Sequence, residues 1–598
     1  MRYPTLNVPV SSRDMIQAFG GYNHNLRIAE NEFYDMKNLT SDHYPVLSPR
    51  SPREDYPVEG TPYVMIQEGE KFCYATDDSF YVSGSKVTGL VLNPLYASSR
   101  SLVAFGSYIT IFPDRKYVNI NNTEEYGDID ASFTSSGEVS FDLCKIDGSA
   151  YSDVTTSDKE PENPDNLQLW IDTSASPHTL RQYSSSSGMW VAIATTYIKI
   201  SASGIGAAFE QYDGVSISGI ESEALADLNS SMVIWDKGDD YIVVVGMLDE
   251  VIKQNTSIKV LRKMPELDFI VCSGNRLWGC RYYTDREGNS INEIRCSKLG
   301  DFKNWNCFMG ISTDSYVASL GESGRFTGAT VHLGYPMFFR ENCIHKIYGD
   351  MPSQFQIQST ICDGVGYGCN KSLVSMNGTL FYKSNTCVCA YDGSLPVNIS
   401  KELGDLSNQT AVGGRLGEKY YIRIGNGNPS TLFVYDTAKG FWHKEDERTR
   451  GGTITDFCTS HNRLRFIETF LIVVEGQEPT LKRTIKTVNP DIKYGRDLET
   501  VEWMAETGIW GIQSPDKKYV SKLSVRMSLA LGSVVFFYAQ YDSSNEWEPI
   551  GKIIGTSLNT FTIPVRPKRC DHFRLRIEGS GEAKILSITK TIEEGSDI

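Results

Sequence analysis

The chain has 598 residues, 40% apolar and 22% charged, with 32 Tyr, 26 Phe and 9 Trp. This globular composition can fill several buried cores and excludes disorder as the general state. Acidic side chains outnumber basic ones 74 to 58, a formal net charge of −16, which speaks against a dedicated phosphate-gripping surface, since such surfaces are built from Lys and Arg. There is no apolar run of about 18 residues or more, and the opening MRYPTLNVPVSSRDMIQAFGG lacks a leader-like apolar stretch, so no membrane span or cleavable signal is expected. Thirteen cysteines scattered from Cys73 to Cys570 suit reduced thiols acting as small buried hydrophobes.

In chain order, residues 1–50 read as an N-terminal arm. Beyond it, short stretches alternate apolar with polar residues between Gly, Asn, Asp and Ser clusters, as in KFCYA (Lys71–Ala75), YITIF (Tyr108–Phe112) and YYIRI (Tyr420–Ile424). Period two with almost no helical periodicity predicts an all-β fold. A turn containing Gly or Asn launches an aromatic-rich strand near Lys71, Ser107, Arg276, Pro336, Thr379, Lys419 and Arg463, and the last four are spaced by 43, 40 and 44 residues. That is close to one four-stranded propeller blade per repeat, so residues 51–120 and 261–499 are expected to form a β-propeller.

Residues 121–260 break the series and turn rich in Ser, Thr, Asp and Gly, as an inserted β-rich module would; ESEALADL (Glu221–Leu228) is its one plausible helix. From 500 onward consecutive strand-like segments predict a C-terminal β-sandwich covering 500–598. Three segments, Tyr183 to Trp190, Tyr435 to Trp442 and Tyr541 to Trp547, share a Tyr, a polar turn and a Trp, which fits hairpins whose rings cover their own strands.

The segment FGGYNHNLRIAENEFYDMKNLTSDHYPVLSPR (Phe19–Arg50) resembles the start of β-propeller virion proteins of tailed bacteriophages, the tail-stabilisation and nozzle type. So do Asn275–Trp305, Ile344–Asp350, Ser372–Ser400 and the closing RPKRCDHFRLRIEGSG, while Pro164–Ala192 is similar to a short β-module of phage tail and fibre proteins. The resemblance implies a structural subunit without enzymatic activity, forming a homo-oligomeric ring, such as a hexamer, in the head-to-tail or tail region. Its partners would be other head-tail or tail proteins, with DNA only in transit, and its location the virion, assembled in the host bacterial cytoplasm. An acidic lining suits such a conduit because it repels phosphate. Phe19, Tyr22 and Phe33 of the arm are the expected subunit-contact or blade-closing residues.

Other chemistries fit the residues less well. Cys387-x-Cys389 and Cys343-x-His345 each put two ligand types on one strand face, yet neither is a C-x-x-C, and packing is the simpler reading. GGRLGEK (Gly413–Lys419) and GSGEAK (Gly579–Lys584) lack the ending of a phosphate loop and read as turns. There is no G-x-S-x-G elbow, and sequons such as Asn38, Asn377, Asn398 and Asn408 fit chance in a Ser/Thr-rich chain. No cofactor and no metal are expected. The alternative reading is a receptor- or glycan-binding tail protein whose insertion offers Trp170, Tyr183 and Trp190 to a host surface glycan. The third is a polysaccharide-cleaving propeller using a pair of carboxylates from Asp268, Asp301, Asp392, Asp436 and Asp456.

Overall fold

The structure is a computed structural model that describes residues 11–321, 324–427, 429–448, 452–472, 480–492, 494, 499–513 and 516–594. It is all-β, as expected, and folds as two compact units: residues 1–100, 339–344 and 360–598, and residues 101–338 and 345–359.

The first unit contains four-stranded antiparallel sheets of simple up-and-down order, the arrangement of propeller blades. One runs Val64–Glu68, Lys71–Ala75, Phe80–Val82 and Ser85–Lys86; another Val374–Met376, Thr379–Lys383, Val388–Tyr391 and Val397–Asn398; a third Ala411–Leu416, Lys419–Ile424, Ser430–Asp436 and Phe441–Arg448. The first hairpin of the second sheet turns through Asn377 and Gly378, both at positive φ (51° and 78°), which is what the right-handed strand twist demands of a two-residue connection. The fourth sheet takes Thr453–Ser460, Arg463–Ile472 and Thr480–Val488 and is completed by Glu54–Tyr56 from the opposite end of the sequence. Tyr56 faces Ile485 and Glu54 faces Thr487 across that ladder.

Sheets pack face to face through alternating apolar positions. Met65, Phe72, Tyr74 and Tyr81 share a core with Cys458, Ile467 and Ile485. Leu416, Tyr421, Leu432 and Val434 share another with Ile454, Leu464 and Phe466. The Tyr435/Trp442 hairpin forms as expected: the two residues are direct cross-strand partners.

The C-terminal strands form an eight-stranded sheet whose membership goes beyond residues 500–598. The arm is part of it: Ser11–Ile16 pairs with Ala583–Glu594, and Phe33–Lys37 pairs with Glu502–Thr507, as the two outer members of its main strand order. At its centre the 24-residue strand Lys518–Tyr541 bonds first to Ala583–Glu594 and then to Phe573–Ser580. The strand Ser11–Ile16 (SSRDMI) carries too few apolar residues to announce a sheet, and for both arm strands the choice of partner is made by long-range pairing.

The second unit holds propeller-like sheets at Ser101–Phe105 to Tyr126–Asp128 and at Phe269–Ser273 to Tyr316–Leu320. A further sheet, Gly328–His332 to Gln356–Ile361, lies mostly in this unit. Between them, residues 131–262 gather into their own core of Val139, Phe141, Ile198, Ile200, Ile242 and Val260 among others. A small sheet, Val154–Ser157, Leu169–Asp172, Thr179–Ser184 and Met189–Ala192, opens with a parallel pair. The expected helix at Glu221–Leu228 is only a 3-10 segment, Glu223–Leu228, because its six residues close too few backbone bonds to propagate an α-helix.

Gly21 shows how closely the arm is seated. Its backbone lies so near the edge of Phe441–Arg448 that a Cβ would stand 2.2 Å from the Trp442 carbonyl oxygen and 2.7 Å from Phe441 Cδ2. Gly21→Ala should therefore cost about 1–3 kcal/mol, read as a lowered Tm with faster proteolytic cleavage within residues 11–40; an unchanged melt and digest would refute this docking.

Candidate functional site

A cavity of 260 Å³ in the first unit lies where the arm meets the third and fourth sheets described above, and its charged lining includes Asp42, Arg50, Arg53, Lys419, Asp436, Lys439 and Glu445. It is built from the segment that carries the family resemblance. Strand Phe33–Lys37 buries Phe33 and Met36 and leaves Asp35 to bind Lys444 at 3.0 Å. Asn38 then turns the chain at φ 55°; its amide donates to the Glu502 carbonyl at 2.8 Å, its side-chain oxygen accepts from Arg50 Nε at 2.9 Å, and its backbone N–H donates to the Glu445 carbonyl. Asn is among the few residues that adopt this left-handed conformation at low cost.

Arg50 and Arg53 follow, both buried. Arg53 donates to Glu445 at 2.6 Å and to both oxygens of Asp446 at 3.1 and 3.2 Å. Arg50 reaches Glu499 at 3.1 Å. Lys419 pairs with Asp42 at 2.6 Å and Lys439 with Asp436 at 3.2 Å. Each of these four cleft cations thus faces a carboxylate, and for the buried Arg50 and Arg53 burial requires it.

Burial pulls the Arg53 guanidinium down, but Asp446 and Glu445 outweigh it and hold the group more firmly protonated than usual. Burial also opposes ionisation of Asp42, Asp436 and Glu499. Lys419 and Thr40, Ser41 and Lys439, and Arg50 respectively reverse this, so all three carboxyls sit below their ordinary range. A general acid for glycosidic cleavage needs the opposite shift. His443, on the same strand as Glu445, is pushed down to about 3, chiefly by burial, and is neutral. What the arrangement does well is lock a segment in place by matched, desolvated charge.

The expected site residues fall as follows. Phe19, Tyr22 and Phe33 are all buried. Phe19 stacks on Phe33 at 6.2 Å, and Tyr22 packs on Phe433 at 5.6 Å while its N–H donates to the Trp442 carbonyl at 2.6 Å. All three rings are enclosed within their own chain, and Tyr22 seats the arm on the sheet Ala411–Arg448. Trp170, Tyr183 and Trp190 do come together, with Trp190 5.3 Å from Trp170 and 5.4 Å from Tyr183. Trp170 is only 6% exposed, donates to the Ser157 carbonyl and lies under the Arg181 guanidinium, so its faces are taken up by the module's own packing.

The proposed acids are also occupied locally. Asp301, Asp392 and Asp436 accept backbone N–H bonds from their own turns, at Lys303, Ser394 and Ala438. Asp268 accepts from Tyr282 N–H, and Asp456 from Met65 N–H and Lys371. Among the described residues no cluster of three or more His, Cys, Asp or Glu is placed to hold a metal ion, and no helix is long and apolar enough to cross a membrane.

Sequence reasoning missed Arg50, Arg53, Glu445 and His443. The signals were there: S-P-R occurs twice in succession at 48–53, and FWHKEDER places charges on both faces of a strand, which a buried strand tolerates only when they are paired.

No family model and no curated protein matches the chain. Among solved structures it is similar to an exo-β-1,3-galactanase from Phanerochaete chrysosporium. A variant with β-1,3-galactotriose has 8% identity and a TM-score of 0.20, covering 53% of this chain and 94% of that one. The form with galactose has 8% identity and a TM-score of 0.18, covering 54% and 94%. Both of those proteins are enzymes, so the comparisons lend no support to the expectation of a chain without enzymatic activity, and at these TM-scores they assign no reaction to this chain.

Two measurements test the cleft. Arg53→Ala removes the guanidinium that bridges Glu445 and Asp446 and should lower stability by about 3–5 kcal/mol, measured by urea denaturation; a loss under about 1 kcal/mol would mean the pair is dispensable. For His443, the unfolded side chain binds a proton below its ordinary 6.5 while the folded one resists until about 3. The unfolded state then holds more protons, so stability falls with falling pH across that window, by up to about 1.4 kcal/mol per pH unit. His443→Gln should flatten the slope between pH 6.5 and 4.5, above the range of the low carboxyls.

Proposed function

We propose that the chain is a structural subunit of a tailed-phage virion, of the β-propeller type its sequence resembles, that assembles into a ring in the head-to-tail or tail region and bridges its neighbours. One observation carries the reading: the residues bearing the resemblance have a defined structural task here. In the motif E-F-Y-D-M-x-N and its Pro-Arg ending, Phe33 and Met36 are buried, Asp35 binds Lys444, and Asn38 and Arg50 organise the charged cleft.

A segment with this density of specific contacts is a fold-defining element, so likeness there bears on architecture and not on a movable tail. Stiffness suits the role. The arm and the C-terminal strands share one sheet, leaving surface loops free to dock partners without reshaping the core. The charge of −16 lets DNA pass without being held.

The test is localisation and assembly. Antibody labelling of purified particles should mark one point at the neck or tail, and the isolated protein should form rings of uniform copy number by negative-stain microscopy. Absence of the chain from particles, with a monomer at every concentration, would overturn the proposal.

A further inference from the structure

The turn joining Thr379–Lys383 to Val388–Tyr391 brings Cys387 and Cys389 to the same side of the chain with their sulfurs 3.6 Å apart. Other buried thiols behave as ordinary core groups: Cys280, Cys343, Cys369 and Cys570 point at the backbone carbonyls of Phe269, Ile344, Gln409 and Lys518. In the pair, sulfur faces sulfur. Ser384 holds the geometry: its hydroxyl lies 3.3 Å from Cys387 Sγ and accepts from the Cys387 N–H at 3.0 Å. The Lys383 amine, wholly buried, donates to the Ser384 carbonyl at 2.7 Å near both thiols, though burial weakens its hold on a proton.

Residues two apart on an extended chain have Cα atoms about 6.6–6.8 Å apart, at the upper end of the about 4.4–6.8 Å that a disulfide spans. The sulfurs, in contact at 3.6 Å, must close to about 2.05 Å to bond. Cys387 is 7% exposed and Cys389 1%, so a small oxidant arriving from solvent meets Cys387 first.

We propose that Cys387 and Cys389 form a redox-active dithiol, a modification site that a hydroperoxide converts to an intrachain disulfide while the remaining cysteines stay reduced. In the first step the Cys387 thiolate attacks the peroxide O–O bond, giving Cys387 sulfenic acid and releasing one water, or one alcohol from an organic peroxide, after proton uptake. In the second, the Cys389 sulfur attacks the sulfenic sulfur; the S–S bond forms, the S–O bond breaks, and the hydroxide leaves as water with the proton from Cys389. Two thiols are oxidised by two electrons and one peroxide is reduced. The thiol proton that Cys389 directs at Cys387, together with the Ser384 hydroxyl, shifts Cys387 toward the thiolate that this order requires, even though burial opposes it. This inference is independent of the virion reading.

The experiment uses the full-length reduced protein, treated with stoichiometric hydrogen peroxide, alkylated and digested with trypsin. Cleavage after Lys383 and Lys401 yields one peptide holding both cysteines. The expected result is that peptide unalkylated and lighter by two hydrogens, with the other eleven cysteines alkylated. In Cys389→Ser, Cys387 should stop at the sulfenic acid and be trapped by dimedone. Full alkylation of the peptide, or oxidation elsewhere first, would overturn the proposal, as would failure of dimedone to label Cys387 in the variant.

Discussion

The fold of the first unit depends on desolvated charge meeting its counter-charge at Arg53. A buried guanidinium is tolerated only when its charge is met, and here the two terminal nitrogens reach Glu445 at 2.6 Å and both oxygens of Asp446, while Nε has no hydrogen-bond partner and the Phe466 ring lies 5.1 Å from the guanidinium carbon. That geometry fixes the residue immediately before strand Glu54–Tyr56, and so fixes the register in which the strand meets Thr480–Val488. Upstream, Arg50 binds Asn38 and Glu499 and ties the same stretch to the C-terminal sheet. The arm is thus held by hydrogen-bonded ion pairs with exact partners as much as by hydrophobic contact, which gives it one seating and not a family of similar ones.

Much of this architecture was legible in the sequence because β-structure announces itself locally. Alternation in KFCYA or YYIRI, an Asn-Gly turn at 377–378, and a Tyr facing a Trp across a polar turn all report on neighbours a few residues apart. The recurrence of aromatic strands marked four-stranded units for the same reason. Pairing between distant segments left no such trace. Nothing in SSRDMI says that it lies beside Ala583–Glu594, and EDY is too short and too polar to read as a strand at all. A short helical-looking octapeptide likewise yielded to its surroundings.

The site was less legible than the fold. Aromatic residues drew attention because rings are conspicuous, yet Phe19, Tyr22, Phe33 and Trp170 are all enclosed. Conversely, the charges that shape the cleft looked like ordinary surface, since a Lys or Glu in isolation is normally solvated. The Cys387–Cys389 pair was visible as spacing, but only coordinates show that the two sulfurs touch.

The closing of a sheet by residues 54–56 has a consequence for biogenesis. During synthesis this strand leaves the ribosome hundreds of residues ahead of the segment it must pair with, and the four-stranded unit stays open until Thr480–Val488 has been made. The nascent chain must keep a polar tripeptide uncommitted throughout that interval, and its very polarity, which hides it from pattern reading, also guards it against joining the wrong sheet.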